Sequence, residues 1–122
     1  EDFDIGAEIA RMRANRPGIG AIASFIGTVR DVNDGTGVRT MTLEHYPGMT
    51  EKALEDIEAE AHRRWPLEAS LIVHRYGKMS SGERIVLVAV GSPHREAAFE
   101  ACAAALQEHA PMPLVEHLLT DP

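Results

Sequence analysis

With 122 residues, a formal charge of -7, 44 % hydrophobic and 25 % charged residues, the chain has the size and balance of one globular domain. Ten arginines face only two lysines, Lys52 and Lys78, and no basic block is present, which argues against nucleic acid or an anionic membrane surface as partner. No apolar run reaches the ~20 residues that span a bilayer and no signal peptide is visible, while the single cysteine, Cys102, excludes an internal disulfide and fits a reducing, cytoplasmic setting.

In chain order, Asp4 to Asn15 carries Ile5, Ile9 and Met12 at helical spacing, and Arg16-Pro17-Gly18 ends that helix. Small and β-branched residues from Ile19 to Val29 predict a strand, with Gly27 as a bulge or a point of close approach. Asp31 to Gly37 reads as a loop, and Val38 to Tyr46 alternates as a half-buried strand. Thr50 is the expected N-cap of a helix that reaches about Trp65, with Leu54, Ile57, Ala61 and Trp65 as its apolar stripe and Pro66 as its stop.

Ala69–Tyr76 and Arg84–Gly91 are expected strands joined by the Ser80-Ser81-Gly82-Glu83 turn. Ser92 then serves as N-cap and Pro93 as first residue of a last helix that carries Ala98, Phe99, Cys102 and Leu106 on one side. Leu114–Leu119 ends the series as a short strand. The order α-β-β-α-β-β-α-β implies an α+β class, one layered domain over residues 1–122 with a mixed or largely antiparallel sheet and about three helices.

The clearest chemical signal is His94-Arg95 in the first turn of the last helix. Free amides and a partial positive charge at a helix start disfavour cations there, by up to ~1 kcal/mol per charged group. A phosphate or carboxylate bound between those side chains and the amides removes the penalty, so the turn reads as an anion site. The alternative is that Arg95 pairs with Glu96 or another acidic neighbour and His94 stays neutral. Arg30, where the first strand leaves for the loop, could fork onto the same anion, or simply pair with Asp31 or Asp34.

Glu44 and His45 are adjacent on a strand and point to opposite faces, so they form no dyad. The six histidines have no metal-ligand spacing, and one cysteine cannot build a zinc site, so no metal is expected. Cys102, mid-helix on the apolar side, reads as a buried, inert thiol. The glycines at 18, 20, 35 and 37 match neither a dinucleotide-binding nor a P-loop fingerprint.

Three ordered segments carry a family resemblance: Phe25-Ile26-Gly27-Thr28-Val29-Arg30, Thr42-Leu43-Glu44-His45-Tyr46-Pro47-Gly48-Met49-Thr50-Glu51-Lys52-Ala53-Leu54, and Ser92-Pro93-His94-Arg95-Glu96-Ala97-Ala98-Phe99. With the Trp65-Pro66 stop and His74-Arg75-Tyr76-Gly77, they resemble the large, catalytic subunit of molybdopterin synthase, the MoaE family, whose fold is an α/β hammerhead. The resemblance implies a cytoplasmic homodimer and a small ubiquitin-like partner subunit, whose C-terminal Gly-Gly thiocarboxylate enters a pocket near the dimer interface. Sulfur passes from it to cyclic pyranopterin monophosphate to build the dithiolene of molybdopterin. The pterin phosphate is then a substrate, and no cofactor is held permanently.

Carried over residue by residue, the resemblance gives Arg30, His94 and Arg95 catalytic roles. It lines the substrate pocket with Thr28, Val29, Arg30, His94, Arg95, Gln107, Leu114, Val115 and Glu116. The family's two lysine positions fall on Gln107 and Leu114, and neither side chain can supply an ammonium to an oxyanion or an acyl carbon. Lysines elsewhere in the protein, a cation from the dimer mate or from a tail beyond Pro122, and a non-catalytic module that binds the small subunit or a pterin phosphate are the alternatives this departure opens.

Overall fold

The computed structural model describes residues 3–29, 38–43, 49–75, 77–80, 82–109 and 116–120; for 38–43, 49–50, 77–79, 108–109 and 116–120 the backbone alone is described. The elements are α1 (Ile5–Arg13), β1 (Ala21–Thr28), β2 (Val38–Leu43), α2 (Met49–Arg64), β3 (Ala69–His74), β4 (Gly77–Ser80), β5 (Arg84–Ser92), α3 (Arg95–His109) and β6 (Glu116–Thr120).

The core is organised by β5, the most apolar run in the chain. It is the middle strand of an antiparallel sheet in the order β1-β5-β3. Because side chains alternate across a strand, Val86, Val88 and Val90 point to one face and Leu87 and Ala89 to the other. The first set packs with Ile57 and Ala61 of α2 and Ala101, Cys102 and Ala105 of α3. The second packs with Phe3, and with Met12, Ile5 and Ile9 of α1. Both faces are therefore covered, which is why Ile85 to Val90 reads as a continuous apolar run rather than an alternating one. Leu87 has no exposed surface, and burying such a side chain contributes ~1.5–3 kcal/mol.

α1 begins where Asp4 accepts a hydrogen bond from the Ala7 amide at 3.0 Å. Its apolar residues Ile5, Ile9 and Met12 face the sheet, as their spacing predicts. α2 starts at Met49, so Thr50 lies within the helix and is not its N-cap. The stripe that α3 turns inward is Ala98, Ala101, Cys102 and Ala105; Phe99 is 70 % exposed, which corrects its expected place on the buried side. Small residues on that stripe let the helix lie close to β5 and β1.

A second antiparallel sheet, ordered β4-β2-β6, pairs Thr40 with Ser80 and Met41 with Leu118. The strand β4 was not expected, since Gly77-Lys78-Met79-Ser80 reads as the approach to a turn. The ladder between β1 and β5 slips at Gly27/Thr28. A Cβ on Gly27 would stand 2.9 Å from Val86 Cγ1, so the bulge and the close approach expected of that glycine are both present. The loop 31–37 and the Glu44-His45-Tyr46 run lie outside the described residues.

Candidate functional site

The turn from β5 into α3 sets the geometry of His94 and Arg95. Ser92 ends β5 paired with Ala21, and its carbonyl accepts the Gly20 amide at 2.9 Å. Its side chain is fully buried: Oγ donates to the Pro66 carbonyl at 2.8 Å and accepts from the His94 amide at 3.1 Å. The first intrahelical bond runs from the Ala98 amide to the His94 carbonyl at 3.1 Å, which makes His94 the N-cap and Arg95 the first helical residue. Ser92 and Pro93 were expected in those two roles. The helix starts later because sheet pairing and the Pro66 carbonyl hold Ser92 in the strand.

Gly20 makes this arrangement possible. A Cβ there would sit 2.6 Å from the Pro93 carbonyl oxygen, backbone that cannot move aside. Gly20, Pro93, His94, Arg95 and Glu96 line an open depression of ≈ 430 Å³. His94, Arg95 and Glu96 are all solvent-exposed. Among the described residues Arg95 forms no ion pair, with Glu96 or any other group. The guanidinium, the imidazole and the free amides of the first helical turn can thus converge on one anion, with Glu96 the one carboxylate among the described residues that line the depression.

The other expected pocket residues lie elsewhere. Thr28, exposed, and Val29, buried, sit at the far end of β1, since Ala21 pairs with Ser92 whereas Thr28 pairs with Arg84. Seven strand steps separate Ala21 from Thr28, about 23 Å at the usual rise. Gln107 is exposed in the last turn of α3, twelve residues after Arg95, or about 18 Å along the axis. Because α3 runs back over β5 and β1, Gln107 lies toward the Thr28 end. Glu116 opens β6, with its backbone opposite Leu43. Arg30, Leu114 and Val115 lie outside the described residues. Within one chain, then, His94 and Arg95 are brought together, and Thr28, Val29 and Gln107 are held apart from them.

At the Thr28 end, the Val29 amide donates to the Glu83 carbonyl and the Gly82 amide to the Val29 carbonyl, both at 2.8 Å. Gly82 has φ 88°, a left-handed conformation that suits glycine. Arg75, buried beside this corner, donates to the Arg84 carbonyl at 3.0 Å and meets Glu83 at 3.1 Å. In the sequence Arg75 stands only as part of the His74-Arg75-Tyr76-Gly77 motif. A lone arginine after a β-branched run was the available signal.

Cys102 is buried against β5, and burial pushes its thiol above the usual range. Among the described residues no group of three or more His, Cys, Asp or Glu is placed to hold a metal ion, and no helix is long and apolar enough to cross a membrane.

Helices on both faces of an antiparallel sheet, with His94 and Arg95 at a helix start that opens on a surface depression, define an α+β domain with a candidate anion site. The family model described as MoaE protein matches residues 1–109, and the chain belongs to the MoaE family. It is 64 % identical over 101 residues to the molybdopterin synthase catalytic subunit of Ralstonia nicotianae, a match that takes in 83 % of this chain and 57 % of that relative. The matched part thus spans little more than half of that relative's length. A MoaE protein structure from Burkholderia ambifaria superposes with TM-score 0.85 at 45 % identity, over 98 % of this chain and 84 % of that one. Molybdopterin synthase from Staphylococcus aureus gives 0.90 at 29 % identity, over 99 % and 88 %.

Proposed function

We propose that this chain acts in molybdopterin biosynthesis as a sulfurtransferase subunit in the cytoplasm. A thiocarboxylated, ubiquitin-like small subunit supplies sulfur, and cyclic pyranopterin monophosphate receives it as substrate. The observation that carries the reading is the α3 start, where His94 and Arg95 stand exposed at a helix N-terminus beside Gly20. An arginine there, with no acidic partner among the described residues, is the local cost a phosphate-bearing substrate would relieve.

Arg95 holds the phosphate through charge-assisted hydrogen bonds, and His94 adds a hydrogen bond or carries a proton. Thr28, Val29, Arg30 and the Gln107 end of α3 form the second wall. In one copy Thr28 and Gln107 each stand about 20 Å from Arg95 by strand and helix rise, so a homodimer is part of the proposal: each pocket takes its helix start from one copy and its β1 end from the other. Small-subunit binding at that seam brings the thiocarboxylate to the pterin.

The second reading, a binding module without sulfur transfer, is favoured by Gln107, exposed in the last turn of α3 where the family pattern has a lysine. Affinity for the pterin precursor tests the anion site common to both readings. Arg95→Ala is expected to weaken it ~10-fold or more, as for the loss of a charge-assisted contact; unchanged affinity would remove the site. Light scattering tests the dimer, expected at twice the 13.3 kDa chain mass.

A further inference from the structure

We propose that Ser92 is a positioning residue for the anion-binding start of α3, fixing the turn that presents His94 and Arg95 without touching the ligand. The inference rests on the sulfur-transfer reading, in which this turn takes the substrate phosphate. Ser92 has no exposed surface, so it cannot contact anything in the depression. A hydroxyl has one proton to give and lone pairs to accept with. Ser92 gives its proton to Pro66, 26 residues away, and accepts the amide of His94.

Each of those backbone groups would otherwise lack that partner. The Pro66 segment is itself tied to the sheet, where the Glu68 amide donates to the Gly91 carbonyl at 2.8 Å. From the opposite side the Gly20 amide bonds the Ser92 carbonyl, and Gly20 lies so near Pro93 that a Cβ would meet its carbonyl oxygen. The turn is therefore gripped between two segments remote in sequence, and the hydroxyl is the side-chain link on one flank. By engaging the His94 amide, Ser92 also decides which donors remain for an anion: those of Arg95, Glu96 and Ala97. Without the hydroxyl the turn can rotate about Pro93, and both cationic side chains move with it.

The test compares Ser92→Ala and Ser92→Thr with wild type in the full-length protein. Inorganic phosphate is titrated against the Arg95, Glu96 and Ala97 amide signals, and steady-state sulfur transfer is measured with the pterin precursor. Ser92→Ala is expected to raise the phosphate Kd and the precursor KM about 5- to 10-fold with kcat within about 2-fold, and Ser92→Thr to recover most of the loss. Should Ser92→Ala not fold, Ser92→Cys replaces it, since a thiol fills similar space but bonds weakly, and the same shifts are expected.

Unchanged Kd and KM would overturn the proposal. So would a loss shared equally by Ser92→Thr, or one that tracks melting temperature alone. A wild type that binds phosphate at those amides but makes no product refutes the sulfur-transfer reading, and Ser92 is then judged on phosphate affinity. Amides that ignore phosphate in the wild type overturn both.

Discussion

Buried Arg75 and half-exposed Glu83 meet at 3.1 Å at the corner where β1 and β3 end and β5 begins. Glu83 also accepts the Ser80 amide at 2.9 Å, and Arg75 donates to the Arg84 carbonyl. The Ser80 amide first, and then the Arg75 guanidinium, hold the Glu83 carboxyl below its ordinary value of 4.5. A lowered carboxylate pKa stabilises the fold above the unfolded value and loses that contribution as pH falls through the folded one. Glu83→Gln should therefore melt below wild type near pH ~7 and converge with it as pH falls through the lowered folded value, as melts taken down through the acid range would show. A gap that persists in acid would contradict an ionic role.

Gly20→Ala tests the close approach on which the α3 start depends. The added methyl would stand 2.6 Å from the Pro93 carbonyl, so the turn must shift, at a cost of ~1–3 kcal/mol. Urea unfolding should show that loss, and phosphate should bind more weakly at the Arg95 amide. A variant as stable as wild type would mean the turn yields freely.

Cys102 should behave as packing rather than as a nucleophile. Burial raises its pKa, so little thiolate forms at neutral pH. Alkylation of the folded protein should be ~100-fold slower than in denaturant. Cys102→Ala should leave sulfur transfer intact and cost ~1 kcal/mol of stability. Fast alkylation in the native state would reopen a chemical role.

Much of this fold can be read directly from residue pattern. Ile5, Ile9 and Met12 announce the face of α1, and the unbroken Ile85–Val90 run announces a strand covered on both sides. Phe99 departs from expectation through helical phase: Ala98, Ala101, Cys102 and Ala105 share one face, and Phe99 stands about 100° round from Ala98 and about 60° beyond Cys102. The His94-Arg95 pair is legible from its helix-start position, whereas the N-cap of α3 depends on the tertiary bond that Ser92 donates to Pro66 and the local bond it accepts from the His94 amide. The separation of Thr28 from Arg95 was not legible, because it follows from the β1–β5 register, a non-local pairing that no short motif encodes.

That separation makes a sharp prediction for mixed dimers. Arg95→Ala and Arg30→Ala homodimers should each be nearly inactive. Combined in one dimer, they leave one pocket with both native walls, and activity should return to roughly a quarter of wild type in a statistical mixture of subunits. No recovery would mean that each pocket draws on a single copy.

Single-turnover sulfur transfer tests the central claim most directly. The full-length protein is mixed with thiocarboxylated small subunit and cyclic pyranopterin monophosphate, and dithiolene product is counted per site. Wild type should form product, and Arg95→Ala should form it at least ~10-fold more slowly, as for the loss of a charge-assisted contact to the reacting substrate. Tight binding of the small subunit with no product would contradict it, and would mark the chain as a binding module that keeps the fold without the chemistry.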